Sequence, residues 1–144
     1  MTTTRLEHEI ELEPEFYEID PMQVVWHGHY VKFLEKARNA LLARLNAGYQ
    51  EMRECGYVFP VVELFIRYAQ PLKLGQRIRV SARIVEWESR VKTCYEIRDG
   101  ESGRRLTRAH TVQLAVQLAA DGRSGDLCYL CPQVLWDKLG VLPH

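Results

Sequence analysis

Gly28-His29-Tyr30-Val31-Lys32-Phe33-Leu34-Glu35-Lys36-Ala37-Arg38-Asn39-Ala40-Leu41-Leu42-Ala43-Arg44-Leu45-Asn46 is the stretch that decides the fold. Tyr30, Phe33, Leu34, Ala37, Leu41 and Leu45 recur at helical spacing on one stripe, and Lys32, Glu35, Lys36, Arg38, Asn39 and Arg44 cover the other side. An apolar stripe of that width must be buried against another element. Ala47-Gly48 ends the helix, with Gly48 the expected left-handed residue beyond it. Met52 and Cys55 are spaced for a further short turn of helix between Tyr49 and Gly56.

Downstream, from Phe59, the apolar period changes to two. Val62, Leu64, Ile66 and Tyr68 alternate with Val61, Glu63, Phe65 and Arg67 until Gln70-Pro71. Ile78, Val80, Ala82 and Ile84 form a second such set, and Val91, Thr93, Tyr95 and Ile97 a third, closed by Asp99-Gly100. Val112, Leu114, Val116 and Leu118 predict the longest strand, ending at Asp121-Gly122. These are half-buried antiparallel strands joined by tight turns. Upstream, residues 5–19 read as one extended segment carrying Leu6, Ile10, Leu12, Phe16 and Ile19, with Pro14 marking an edge strand or arm. Residues 132–139 predict a short closing helix with Pro132 in its first turn. One striped helix and one half-apolar sheet bury each other, which gives an α+β fold whose antiparallel sheet wraps one long central helix. The sheet's free edge calls for a second copy, so the expectation is at least a dimer.

The whole chain, 1–144, reads as a single domain: 144 residues and 16.8 kDa leave no room for two good cores. Nineteen Lys+Arg offset nineteen Asp+Glu, with a pI near 7, which argues against a nucleic-acid partner. No apolar run approaches a membrane span, and Met1–His8 is too polar for a secretory signal, so a cytoplasmic location is expected. Cys128-Tyr129-Leu130-Cys131 is an unaccompanied CxxC; with neither a second pair nor a suitably spaced His pair, no metal is expected and the thiols read as free.

The densest polar and aromatic stretch is Phe16-Tyr17-Glu18-Ile19-Asp20-Pro21-Met22-Gln23-Val24-Val25-Trp26-His27-Gly28-His29-Tyr30. It puts a loop carboxylate, Asp20, seven residues before the start of the main helix, where N–H groups and a partial positive charge are available. Two readings stand side by side. Asp20 and the helix start are an acid/base or nucleophile opposite an oxyanion site, as acyl transfer requires; or Asp20 caps a turn while the two histidines cap the helix.

Asp20-x-x-x-x-Val25-Trp26-His27-x-x-Tyr30, followed by Phe33-Leu34-Glu35-Lys36-Ala37-Arg38, resembles the signature of the 4-hydroxybenzoyl-CoA thioesterase family, a branch of the hotdog-fold acyl thioesterases. The likeness continues through Gly48, the Val61–Tyr68 strand, Pro71 and Gly75. It implies a hotdog fold, active sites formed between paired protomers, and hydrolysis of an acyl thioester of CoA or of carrier-protein pantetheine without a cofactor. It implies that Asp20 is the catalytic carboxylate, as nucleophile or as general base. The backbone N–H of His27 would polarise the thioester carbonyl, and the His27 side chain would lie near Asp20. Tyr30 and the Glu35-x-Ala37-Arg38 set would fix packing and local hydrogen bonds. Pro21-Met22-Gln23 is bulkier than the small residues usual there, and His29 replaces a common Asn.

The residues expected to bind substrate are Met22, Trp26, Gly28, Tyr30, Glu63, Arg77 and Arg79. Met22 and Trp26 are suited to border a medium or long apolar acyl chain. Arg77 and Arg79, with Arg83, form a basic strand face able to meet a pantetheine or CoA phosphate. Trp26, Tyr57, Phe59 and Trp87 are candidates for an acyl channel or for the core. The competing functions are a hydratase or dehydratase of acyl thioesters and a non-catalytic acyl-binding protein. The assembly expected is a homodimer or a dimer of dimers, a homotetramer.

Overall fold

The striped segment forms α1 (Tyr30–Arg44), entered through a 3₁₀ turn at His27–His29. The computed structural model describes residues 5–143, so the readings of Met1–Thr4 and of His144 lie outside it. Tyr30, Phe33, Leu34, Ala37, Leu41 and Leu45 are all buried, as the spacing requires. The helix ends differently from the expectation. Asn46 (φ 57°) takes the left-handed position, and Gly48 (φ −64°) instead opens α2 (Tyr49–Glu54). The N–H of Ala47 reaches back to the carbonyl of Leu42 at 2.8 Å, which closes the last turn around Asn46.

The strands are β1 (Glu7–Leu12), β2 (Tyr57–Val58), β3 (Val61–Tyr68), β4 (Ile78–Glu86), β5 (Val91–Asp99), β6 (Arg105–Gln113), β7 (Val116–Leu118) and β8 (Gly125–Leu127). Five of them form an antiparallel sheet in the order β1-β4-β5-β6-β3. Ile78, Val80, Ala82 and Ile84 of β4, with Val91, Tyr95 and Ile97 of β5, supply the buried face, and α1 packs on β4 and β1. This is the expected α+β arrangement.

Three expectations fail locally, each for a physical reason. The first extended segment stops at Leu12; Phe16–Glu18 is a 3₁₀ turn, and Phe16 is three-quarters exposed rather than core. The longest predicted strand is two: β6 ends at Gln113, Leu114 donates to the carbonyl of Pro60, and β7 joins a second sheet, β2-β7-β8. Alternation continues across that switch, so period alone cannot reveal it. Finally, β3 is not half-buried. As the sheet's edge it exposes Val62, Leu64 and Tyr68 on one face and Phe65 on the other, leaving only Ile66 partly covered. The chain closes with α3 (Gln133–Leu139), which buries Leu135, Trp136 and Leu139.

Candidate active site

Ile19 bridges Val25 in antiparallel fashion, and the five residues between them form a tight loop. The Asp20 N–H donates to the Val24 carbonyl (2.8 Å), and the Gln23 N–H to the Asp20 carbonyl (2.9 Å). Asp20 Oδ1 accepts the N–H of Met22 at 2.8 Å and, more weakly, that of Val24 at 3.5 Å. One carboxylate oxygen therefore makes an Asx turn, while Oδ2 has no partner among the described residues. Closing so short a loop drives Gln23 to φ 69°, a left-handed conformation that costs a non-glycine residue energy and persists where surrounding bonds over-determine it.

The loop is tied to the body through the backbone. Val25 donates to the Leu72 carbonyl and Trp26 to the Glu18 carbonyl. Glu18 is buried: its Oε2 lies 2.7 Å from Lys32 Nζ, and its Oε1 accepts the Glu15 N–H. Burial pushes this carboxyl upward, but the Lys32 ammonium and the Glu15 N–H outweigh it and hold the group below its ordinary range.

The start of the helix faces no side-chain cap. Neither His27 nor His29 caps it, so the histidine-cap reading fails. Among the described residues, the N–H groups of His27 and Gly28 have no acceptor, which is the condition for binding a developing oxyanion. Aromatic groups hold the turn: the Trp26 ring lies 5.0 Å from that of His27 and 5.3 Å from that of His29. A Cβ on Gly28 would run into the indole of Trp26, which would have to move aside for any side chain there. Tyr68 Oη donates to the His27 carbonyl at 2.8 Å, and its ring meets Tyr30 edge-on at 4.6 Å. Tyr30 is fully buried and its hydroxyl accepts the Leu72 N–H, so it positions the strap beneath the turn.

Asp20, Trp26, His27, Gly28 and Tyr30 thus fall in one region of the chain, although no hydrogen bond joins Asp20 to the His27 ring among the described residues. Met22 is four-fifths exposed. Glu63 lies on the outer face of β3, its carboxylate 3.6 Å from His110. Arg77 pairs with Glu11 at 2.8 Å, and Arg79 donates to the Gly100 carbonyl at 2.9 Å; both engage the β1–β4 edge and the β5–β6 hairpin rather than the Asp20 loop. Neither Tyr68 nor Glu18 is among the residues expected from sequence to act. In sequence Tyr68 is one more member of an alternating stripe, distinguished by its position just before Gln70-Pro71. Cys131 is buried, and burial, with Cys128 nearby, pushes its thiol up to about 11. No group of three or more metal-binding side chains occurs among the described residues, and no helix there is long and apolar enough to cross a membrane.

One long helix, entered through an uncapped turn and packed against an antiparallel sheet, is the hotdog arrangement. Residues 14–128 match the model of the thioesterase-like superfamily, and the chain belongs to that family. YneP of Bacillus subtilis, provisionally assigned as an acyl-CoA thioesterase, is 34% identical over 85 residues, 59% of this chain and 61% of that protein. A 1,4-dihydroxy-2-naphthoyl-CoA hydrolase of Thermosynechococcus vestitus is 29% identical over 105 residues, covering 72% of this chain and 71% of that one. The alignments span 61%, 48% and 40% of the first three curated relatives, about half of their length. The fold of a 1,4-dihydroxy-2-naphthoyl-CoA thioesterase from Synechocystis superposes with a TM-score of 0.78 over 96% of this chain and 98% of that one, at 23% identity.

Proposed function

We propose that the protein hydrolyses an acyl thioester, with CoA or carrier-protein pantetheine as the thiol, to a carboxylic acid and that thiol. The observation that carries the reading is a loop carboxylate, Asp20, whose Oδ2 has no partner among the described residues, seven residues before an uncapped helix start where the N–H groups of His27 and Gly28 lack acceptors. Membership of the thioesterase-like superfamily supports the same chemistry. The N–H of His27 would hold the carbonyl oxygen as it becomes an oxyanion. Asp20 would take a proton from the attacking water, or attack the carbonyl itself to form an anhydride that water then opens; either way the C–S bond breaks and the thiolate leaves protonated.

The functional unit is a homodimer joined through β3, a reading supported by the apolar residues which that edge strand exposes on both faces. A cytoplasmic setting fits four unpaired cysteines. The decisive experiment is Asp20→Asn, which keeps shape and removes charge. Thiol release from a panel of acyl-CoA and acyl-carrier substrates should fall by about 10²–10⁴ while a substrate analogue still binds. An Asn variant with undiminished thiol release would remove Asp20 from the chemistry.

A further inference from the structure

Two peptide units carry the N–H groups of His27 and Gly28, and each is held by its carbonyl end. A peptide unit is planar and trans, so its C=O and N–H point in opposite directions and fixing one aims the other. In the unit that carries the His27 N–H, the Trp26 carbonyl accepts the His29 N–H at 2.9 Å within the 3₁₀ turn. In the unit that carries the Gly28 N–H, the His27 carbonyl meets two donors. One is the Tyr30 N–H at the start of α1; the other is the Tyr68 hydroxyl, 2.8 Å away at the end of β3. The other bonds are local to the turn, and the Tyr68 bond arrives from 41 positions away.

That outside bond falls where the turn has least to hold it. Gly28 has no Cβ to restrict its backbone, and no side chain caps the helix start. Tyr68, in contrast, is well anchored. It stands opposite Thr107 of β6, and two residues on, Gln70 donates to the Leu106 carbonyl at 3.0 Å. Its ring meets Tyr30 edge-on at 4.6 Å and the His27 ring edge-on at 6.2 Å. Four residues on, Leu72 accepts the Val25 N–H and donates its own to the Tyr30 hydroxyl, so the chain from 68 to 72 grips both sides of Trp26–Gly28. Partial burial pushes the Tyr68 phenol above its ordinary range, so at neutral pH it keeps its proton and donates. A carbonyl that accepts a hydrogen bond polarises its peptide unit and strengthens the N–H at the other side, by roughly 10–30% per bond.

We infer that Tyr68 is a positioning residue for thioester cleavage: its hydroxyl fixes and polarises the His27–Gly28 peptide, so that the Gly28 N–H joins that of His27 as a second donor to the carbonyl oxygen of the bound thioester. The inference rests on the hydrolase reading. Tyr68 neither gives nor takes a proton in the reaction; it acts through the peptide it holds.

Tyr68→Phe keeps the ring contacts and removes the bond. Losing an oxyanion donor outright costs about 10²–10³ in kcat. A donor still present but no longer aimed should cost less, about tenfold in kcat, with KM changed by less than about twofold. At position 68, 4-aminophenylalanine, which offers an N–H from the same ring, should recover most of that loss, and O-methyltyrosine, which cannot donate, should not. If Tyr68→Phe does not fold, these two side chains make the same comparison by themselves. The spectroscopic readout is a ketone analogue of octanoyl-CoA, with methylene in place of the thioester sulfur and ¹³C at the carbonyl. Its infrared carbonyl band should lie at higher frequency in Tyr68→Phe than in the wild type, while the affinity for S-octyl-CoA, a thioether without a carbonyl, stays the same. A band that does not move, or a loss of kcat that 4-aminophenylalanine does not recover, would overturn the inference, since the ring alone would then be what Tyr68 contributes. Failure of the hydrolase reading shows separately, as a wild type that cleaves no thioester. The ketone still decides in that case: a band that depends on the Tyr68 hydroxyl supports the positioning role, and a ketone that does not bind, or binds with an indifferent band, overturns it.

Discussion

At Gly28 a single missing methyl group determines the shape of the helix start. Alanine there would drive its Cβ into the Trp26 ring, and the indole, half-exposed, would have to swing away from His29. Gly28→Ala should cost about 1 kcal/mol of stability, shift tryptophan fluorescence and lower turnover. Trp26→Ala in the same chain should recover the stability but not the turnover. Glu18 is the second residue on which the loop depends, because its buried carboxylate is satisfied by Lys32 and the Glu15 N–H. Its folded pKa is depressed, so the stabilisation is present above the unfolded carboxylate range and is lost as pH falls through the folded value. Glu18→Gln should be less stable than wild type by about 1–2 kcal/mol at pH 7. Denaturant titrations should find that gap closing as pH drops below about 4. A gap independent of pH would mean that packing, not charge, is what Glu18 contributes.

At the scale of elements, β3 is the strand whose sequence and surroundings disagree most. Its alternation is that of a half-buried strand, yet both faces are open in one chain. Pairing a second β3 to it, as proposed above, would remove the disagreement: an edge strand is legible as a strand while its neighbour is not. The charge pattern makes the register testable. Pairing two β3 strands antiparallel about Phe65 sets Glu63 opposite the partner's Arg67, so Glu63→Arg should weaken self-association by opposing two positive charges, and so should Arg67→Glu by opposing two negative ones. Combining the two should restore the dimer, as sedimentation at graded concentrations would report. A double variant as weak as either single one would exclude the register centred on Phe65. The β6–β7 boundary teaches the converse lesson: alternation through Val112–Leu118 is unbroken in sequence, but the chain changes sheets at Leu114-Ala115.

For the whole molecule, the four thiols report how the core is closed. Cys55 is exposed, Cys94 and Cys128 are partly covered, and Cys131 is buried with its thiol pushed up to about 11. Alkylation at pH 8 should therefore modify Cys55 first and Cys131 only on unfolding; rapid labelling of Cys131 in the native protein would contradict its burial. Much of the architecture was legible beforehand, because local periodicity is itself the physics of burial. The stripe on α1, the inward sets of β4 and β5 and the turn at Asp99-Gly100 each depend on residues close in sequence. The motif from Asp20 to Tyr30 is equally local, which is why its residues are legible as one stretch. What the tertiary structure decided is long-range. Tyr68 reaches His27 across 41 positions, Leu72 supports Tyr30 across 42, Arg77 and Arg79 turn to the outer edge, and a cavity opens between α1, α2, β2 and the sheet. Such contacts depend on how a sheet curls around a helix and where its strands stop, and no periodicity within a strand encodes that.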